Sequence, residues 1–107
     1  MNGEFVKIGS LDTYPAGSKK RVRVSDENVL VANLSGKIYA IGDTCTHRSC
    51  SLSDGEIEDS TVICPCHHGR FDIATGKVVG PPPKIDTATY EVQLQGSDVL
   101  VKKRLPF

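Results

Sequence analysis

The chain has no excess of charge of either sign: 13 Lys and Arg balance 13 Asp and Glu in 107 residues. Nucleic-acid binders draw affinity from neutralising phosphates, so this balance argues against that class. The densest basic runs, Lys19-Lys20-Arg21 and Lys102-Lys103-Arg104, read as solvated strand ends rather than binding patches. No apolar run approaches the ~20 residues that span a bilayer as a helix. Met1-Asn2-Gly3-Glu4-Phe5 lacks the cationic stretch and apolar core of a secretory signal, so a cytoplasmic location without membrane attachment is expected. Internal repeats and low-complexity tracts are missing, and no stretch repeats apolar residues at helical spacing. What remains is an ordinary globular composition in a length that suits one domain spanning 1–107.

Turn residues punctuate the chain every 8–12 positions or so, with short Val- and Ile-rich runs between them. Arg21 to Val24 and Glu91 to Gln95 alternate with period two, the pattern of half-buried strands. Further strands are expected at Phe5 to Ile8, Val29 to Leu34, Lys37 to Ile41, Thr61 to Ile63, Phe71 to Ile73, Lys77 to Val79 and Val99 to Lys102. Ser35-Gly36, Ala74-Thr75-Gly76 and Gln95-Gly96-Ser97-Asp98 signal hairpin turns. Leu11 to Tyr14 is expected to form one short helical turn with Ser10 as its cap. The pattern predicts an all-β fold, a small antiparallel sandwich or barrel.

Two segments break the strand rhythm, at about 43–55 and 64–72, and they hold all four cysteines and all three histidines. They read Cys45-Thr46-His47-Arg48-Ser49-Cys50 and Cys64-Pro65-Cys66-His67-His68-Gly69, with sixteen residues between His47 and Cys64. Thiolates bind iron–sulfur clusters and zinc, and imidazole suits both metals. Two such loops at one end of a sheet could close four ligands around one centre. A metal-free disulfide framework, a structural zinc module and a Cys/His hydrolase are the competing readings. Asp54 to Asp59 is acidic but does not follow the order of a calcium loop, and reads as a solvated turn. A proline loop at 80–83, Gly80-Pro81-Pro82-Pro83, must leave the sheet because proline cannot donate to a ladder.

Cys-x-His, sixteen residues and Cys-x-x-His resemble the signature of the Rieske-type [2Fe–2S] ferredoxins. Arg70-Phe71-Asp72, Thr75-Gly76 and the proline run sit where that family continues, so the resemblance spans essentially the whole chain. It implies a small Rieske β-fold with two cluster loops at one end. Cys45 and Cys64 would hold one iron, His47 and His67 the other, of one [2Fe–2S] cluster. Neutral imidazoles in place of thiolates remove negative charge and raise the potential above the plant-type range of about −400 mV. The second ring nitrogen can carry a proton, so the potential is expected to fall as pH rises through the histidine pKa of the oxidised form.

Cys50 and Cys66 match, position for position, the disulfide pair of the cytochrome bc-type Rieske proteins, which implies a Cys50–Cys66 bridge. Those proteins carry a serine and a tyrosine where this chain has Gly69 and Phe71. The lost hydroxyl donors imply a potential below the respiratory type. His68 stands where the family has glycine, and the Cys-x-x-His spacing makes His67 the ligand. Arg48, Gly69, Phe71, Pro81 and Pro82 would form the cluster environment. Arg48, Leu52, His68 and Pro81 to Pro83 would face partners around the tip.

The resemblance implies a soluble, monomeric one-electron carrier that is not an enzyme on its own. It would pass electrons from a ferredoxin reductase to a terminal oxygenase of the aromatic-ring dioxygenase type. A small subunit of another oxidoreductase, such as nitrite reductase, is the alternative within the family.

Overall fold

The computed structural model describes residues 5–24, 27–44, 50–66, 68–80 and 86–104, with the Lys103 and Arg104 side chains left aside. The described residues form ten strands: β1 (Val6–Ser10), β2 (Lys19–Val24), β3 (Glu27–Leu34), β4 (Lys37–Gly42), β5 (Glu56–Glu58), β6 (Thr61–Ile63), β7 (Arg70–Asp72), β8 (Val78–Gly80), β9 (Thr89–Gln95) and β10 (Asp98–Arg104). Two 3₁₀ turns, Leu11–Thr13 and Leu52–Asp54, are the helical elements among them, so the all-β expectation holds.

A six-stranded sheet runs β1-β10-β9-β4-β3-β2, and its edge strands β1 and β2 touch, giving a nearly closed barrel. A four-stranded sheet runs β5-β6-β7-β8. Every strand pairing among the described residues is antiparallel, as short connections between neighbours allow. The β3–β4 hairpin turns at Ser35 and Gly36, with φ of 56° and 97°. Positive φ at both central residues twists the turn to match its strands. Buried Asn33 locks it, accepting from the Gly36 N–H at 2.8 Å and donating to the Tyr14 carbonyl at 2.7 Å.

β3 explains the two-layer core. Val29, Leu30, Val31, Ala32 and Asn33 are all buried, because both faces of the strand are covered. Val29 and Val31 face the barrel interior with Val24, Ile38, Ala40, Tyr90, Val99 and Val101. Leu30 and Ala32 face the small sheet with Ile41, Leu52, Val62, Cys64, Phe71 and Ile73. Alternation along one strand therefore builds two cores on a shared wall.

Several local expectations are revised. Ser10 makes no side-chain cap; its hydroxyl donates instead to Asp12 at 2.5 Å, and Thr13 Oγ1 donates to the Ser10 carbonyl at 2.7 Å. The acidic stretch is not wholly a turn: Glu56–Glu58 pairs with β6, and Glu58 takes Arg70 in an exposed ion pair of 2.6 Å. Its short strand has no clean alternation to betray it. Gly80, expected to have left the sheet, is instead the last residue of β8, in the ladder with Arg70. Pro81, Pro82 and Pro83 lie outside the described residues.

Candidate metal centre

The first candidate loop leaves β4 and is pinched at its base. Thr44 and Ser51 form an isolated antiparallel bridge. The Leu52 N–H donates to the Asp43 carbonyl at 2.6 Å, and the Asp43 N–H to the Asn28 carbonyl at 3.0 Å. Asp43 Oδ1 accepts from the Ser53 N–H at 2.8 Å. The 3₁₀ turn then ends where the Gly55 N–H returns to the Leu52 carbonyl at 2.9 Å. A Cβ on Gly55 would lie 1.8 Å from the Ile63 carbonyl oxygen, so only glycine lets this turn pack on β6.

The basic residues of β2 take part. Lys19 Nζ donates to the Ser53 carbonyl at 2.6 Å, and Arg21 Nη1 to Ser51 Oγ at 2.9 Å. Two residues of the run read as a solvated strand end are thus anchors of the first loop. Lys20, on the opposite face, lies over the Tyr14 ring at 4.9 Å. A pattern of charge along a strand carries no mark of which distant backbone it will meet.

The second loop springs from the β6–β7 hairpin. The Cys64 N–H donates to the Gly69 carbonyl at 2.7 Å, and the His68 N–H to the Cys64 carbonyl at 2.9 Å. These bonds return the chain within five residues, and Arg70 opens β7, so the loop is shorter than the predicted 64–72. His68 has φ of 63°, the left-handed region that glycine adopts most readily. That is the physical reason for glycine at this position in the resembling sequences. Here the exposed imidazole accepts the local cost.

The structure joins the two loops through a Cys50–Cys66 disulfide, with the Cα atoms 6.5 Å apart. The bridge uses two of the chain's four cysteines. Cys64 is free and 1% exposed, packed with Leu52, Val62, Phe71 and Ile73. Of the residues expected around a cluster, Phe71 is fully buried and the Gly69 carbonyl accepts from the Cys64 N–H. Leu52 is fully buried and cannot be a docking contact: the 3₁₀ turn points it into the core. Cys45, His47, Arg48, His67, Pro81 and Pro82 lie outside the described residues, as does Pro83. Among the described residues no cluster of three His, Cys, Asp or Glu side chains is assembled to hold a metal ion.

The donor chemistry fits a mixed-ligand centre. With Cys50 and Cys66 bonded to each other, two thiols remain, Cys45 in the first loop and Cys64 in the second. An all-cysteine cluster needs four. One thiol and at least one histidine per loop make a two-sulfur, two-nitrogen set, with Cys64 already shielded from water.

Burial raises the Tyr14 hydroxyl pKa above its ordinary value. Tyr90 is raised much further, first by burial and then by its hydrogen bond to and the charge of Glu27, at 2.5 Å. No described helix is long and apolar enough to cross a membrane.

Comparison with known proteins completes the picture. The ferredoxin component of the naphthalene 1,2-dioxygenase/salicylate 5-hydroxylase systems of a Ralstonia species is 34% identical over 102 residues, covering 95% of this chain and 98% of its own. The ferredoxin of carbazole 1,9a-dioxygenase from Nocardioides aromaticivorans IC177 superposes with a TM-score of 0.90 at 29% identity, covering 95% of this chain and all of that one. A chain from a complex of reduced oxygenase and oxidized ferredoxin in carbazole 1,9a-dioxygenase matches with a TM-score of 0.89 at 31% identity, over 94% of this chain and 96% of that one. The Rieske [2Fe-2S] domain model matches residues 4–91. A barrel with a second small sheet, two loops stitched by a disulfide, and this match together establish that the chain belongs to the Rieske [2Fe-2S] domain family.

Proposed function

We propose that the chain is the ferredoxin component of an aromatic-ring dioxygenase system, holding its single [2Fe–2S] cluster through Cys45, His47, Cys64 and His67. The observation that carries the ligand assignment is the pairing of Cys50 with Cys66, which leaves one thiol in each loop. The bound cluster supplies reversible uptake of one electron without transformation of a substrate. The protein's own residues do the rest. Leu52, Val62, Phe71 and Ile73 exclude water beneath Cys64. The disulfide fixes the separation of the loops, and the Thr44–Ser51 bridge and Cys64–Gly69 bond fix each loop's base. Such rigidity keeps ligand positions similar in both oxidation states, as fast electron transfer needs.

Relatives described as ferredoxin components of dioxygenase systems support the assignment of partners. So does the likeness to a chain from an oxygenase–ferredoxin complex. The donor is accordingly a ferredoxin reductase and the acceptor a terminal oxygenase, met in a small transient interface. A cytoplasmic setting is part of this reading. A two-Cys, two-His set would also suit zinc, and family membership favours the cluster.

The test is direct. Protein made with iron and sulfide should contain both in 2:2 ratio to the chain, following from the [2Fe–2S] formula. Its reduced-state EPR spectrum should show mixed Cys/His ligation. Separate Cys45→Ser, His47→Ala, Cys64→Ser and His67→Ala proteins should each lose that spectrum, whereas His68→Gly should keep it. Electron delivery from a reductase to an aromatic-ring oxygenase should follow the same pattern. Colourless, iron-free protein would overturn the assignment.

A further inference from the structure

The Cys50–Cys66 bridge is placed unequally at its two ends. Cys50 is half-buried against the core that holds Leu52 and Phe71. It adjoins Ser51, which bridges to Thr44 and accepts from Arg21. Cys66 is exposed, on a loop that has no barrel anchor among the described residues. One end of the bond is therefore held and shielded, and the other is open to solvent. Neither loop depends on the bond for its own closure. The Thr44–Ser51 bridge and the Lys19–Ser53 bond shut the first, and the Cys64–Gly69 and His68–Cys64 bonds shut the second. The second loop's contribution to the core is Cys64, not Cys66. Opening the bridge thus uncouples the two loops without dismantling either.

In the cytoplasmic setting proposed above, thiol pools keep most cysteines reduced, and the disulfides that form there are chiefly transient, catalytic or redox-sensing. Exposed bridges belong to the labile class, whereas shielded structural ones resist reduction. We propose that the Cys50–Cys66 bond is a reversible redox switch: intact, it passes the barrel's rigidity to the second loop, and its reduction by a protein dithiol of the thioredoxin class frees that loop and slows electron transfer. A thiolate of the dithiol attacks the exposed Cys66 sulfur, and Cys50 leaves as a thiolate and takes up a proton. The second thiol of the donor then displaces Cys66. Two electrons and two protons pass to the protein, leaving Cys50 and Cys66 as thiols and the donor as a disulfide. The effect on electron transfer rests on the ligand assignment made above; the opening of the bond and the release of the loop do not.

The experiment treats cluster-bearing wild type, verified for iron and sulfide, with thioredoxin, its reductase and NADPH under anaerobic conditions. Alkylation and mass spectrometry of the folded protein should find Cys50 and Cys66 newly labelled, with iron and sulfide retained. Amide exchange at residues 64–69 should rise, and the electron-transfer rate in protein-film voltammetry should fall, each by about tenfold, while β9 and β10 stay protected. Re-oxidation with glutathione disulfide should restore both values. Cys50→Ser/Cys66→Ser should begin at the values of the reduced wild type and ignore thioredoxin. The cycle on wild type carries the test by itself, whether or not that variant folds. A bridge that thioredoxin opens only after denaturation would overturn the inference. So would an opened bridge that leaves exchange at 64–69 and the transfer rate unchanged, or an opening that expels the cluster. Wild type without iron and sulfide before any treatment would instead defeat the ligand assignment, so the two failures are distinguishable.

Discussion

Removing the bridge between the two loops should cost about 3 kcal/mol. Cys50 and Cys66 are separated by 16 positions, and the bridge forbids the unfolded chain from opening that loop. The loop-closure relation gives an entropy loss of roughly 10 cal/mol/K for a ring of this size, hence about 3 kcal/mol at 25 °C. Unfolding entropy near 2.1 cal/mol/K per residue gives ~225 cal/mol/K for the whole chain. The expected fall in Tm is therefore about 13 °C. The suitable protein is the double variant Cys50→Ser/Cys66→Ser, since a single change leaves a thiol close to Cys64 free to pair wrongly. Calorimetry on cluster-bearing parent and double variant, without reductant, measures the difference. A thiol titration of the intact parent should find neither Cys50 nor Cys66 reactive. Melting within about 3 °C of each other would refute the reasoning, since it would leave the unfolded chain indifferent to the crosslink.

Phe71→Tyr should raise the potential by tens of millivolts, on the scale where ~59 mV is tenfold for one electron, if the new hydroxyl reaches a cluster sulfur; voltammetry showing no change or a fall would mean that residues 69–71 are misaligned with the respiratory proteins. His68→Gly should leave stability unchanged or slightly higher and His68→Val should cost about 1–2 kcal/mol, because φ of 63° suits glycine and penalises a β-branched side chain; urea titrations of both check it. Tyr90 is raised in the folded state by burial and by Glu27, so its stabilising contribution is complete below the unfolded value near 10 and is lost as pH rises above it. Urea titrations between pH 9 and 11 should show falling stability, with a shallower fall in Tyr90→Phe; a residual slope from Tyr14 remains. Removing the cluster should speed amide exchange in β5 to β8 while β9 and β10 stay protected, because the candidate ligand Cys64 packs in the core under the small sheet and the barrel core contains no candidate ligand.

The barrel was legible because its strands carry their own signals. Arg21 to Val24 alternates as a half-buried strand, and Ser35-Gly36 is a turn pair that only a hairpin uses well. The disulfide pairing came from resemblance, and the structure bears it out. Other features depend on tertiary meetings that local pattern does not encode. Leu52 looks like any loop leucine until the 3₁₀ turn buries it, and Lys19 and Arg21 look solvated until Ser51 and Ser53 arrive beside them. Glu56–Glu58 is too short and too charged to signal a strand, and it pairs because β6 offers an open edge. Asp43, whose backbone and Oδ1 close the base of the first loop, carried no motif at all.

These missed residues share one structural task. A four-stranded sheet whose strands are three residues long has little capacity to hold a redox centre rigid by its own ladders. The longer strands of the barrel supply the stiffness, and they do so across a single wall. Leu30 and Ile41 face the small sheet from β3 and β4, while Lys19, Arg21 and Asn28 reach the first loop from β2 and β3. The disulfide then passes that constraint from the first loop to the second, which has no such anchor of its own among the described residues. On this view the bridge transmits order rather than merely adding stability. It follows that the barrel anchors and the disulfide act in series, so that loosening either one frees the second loop from the constraint that the barrel anchors supply.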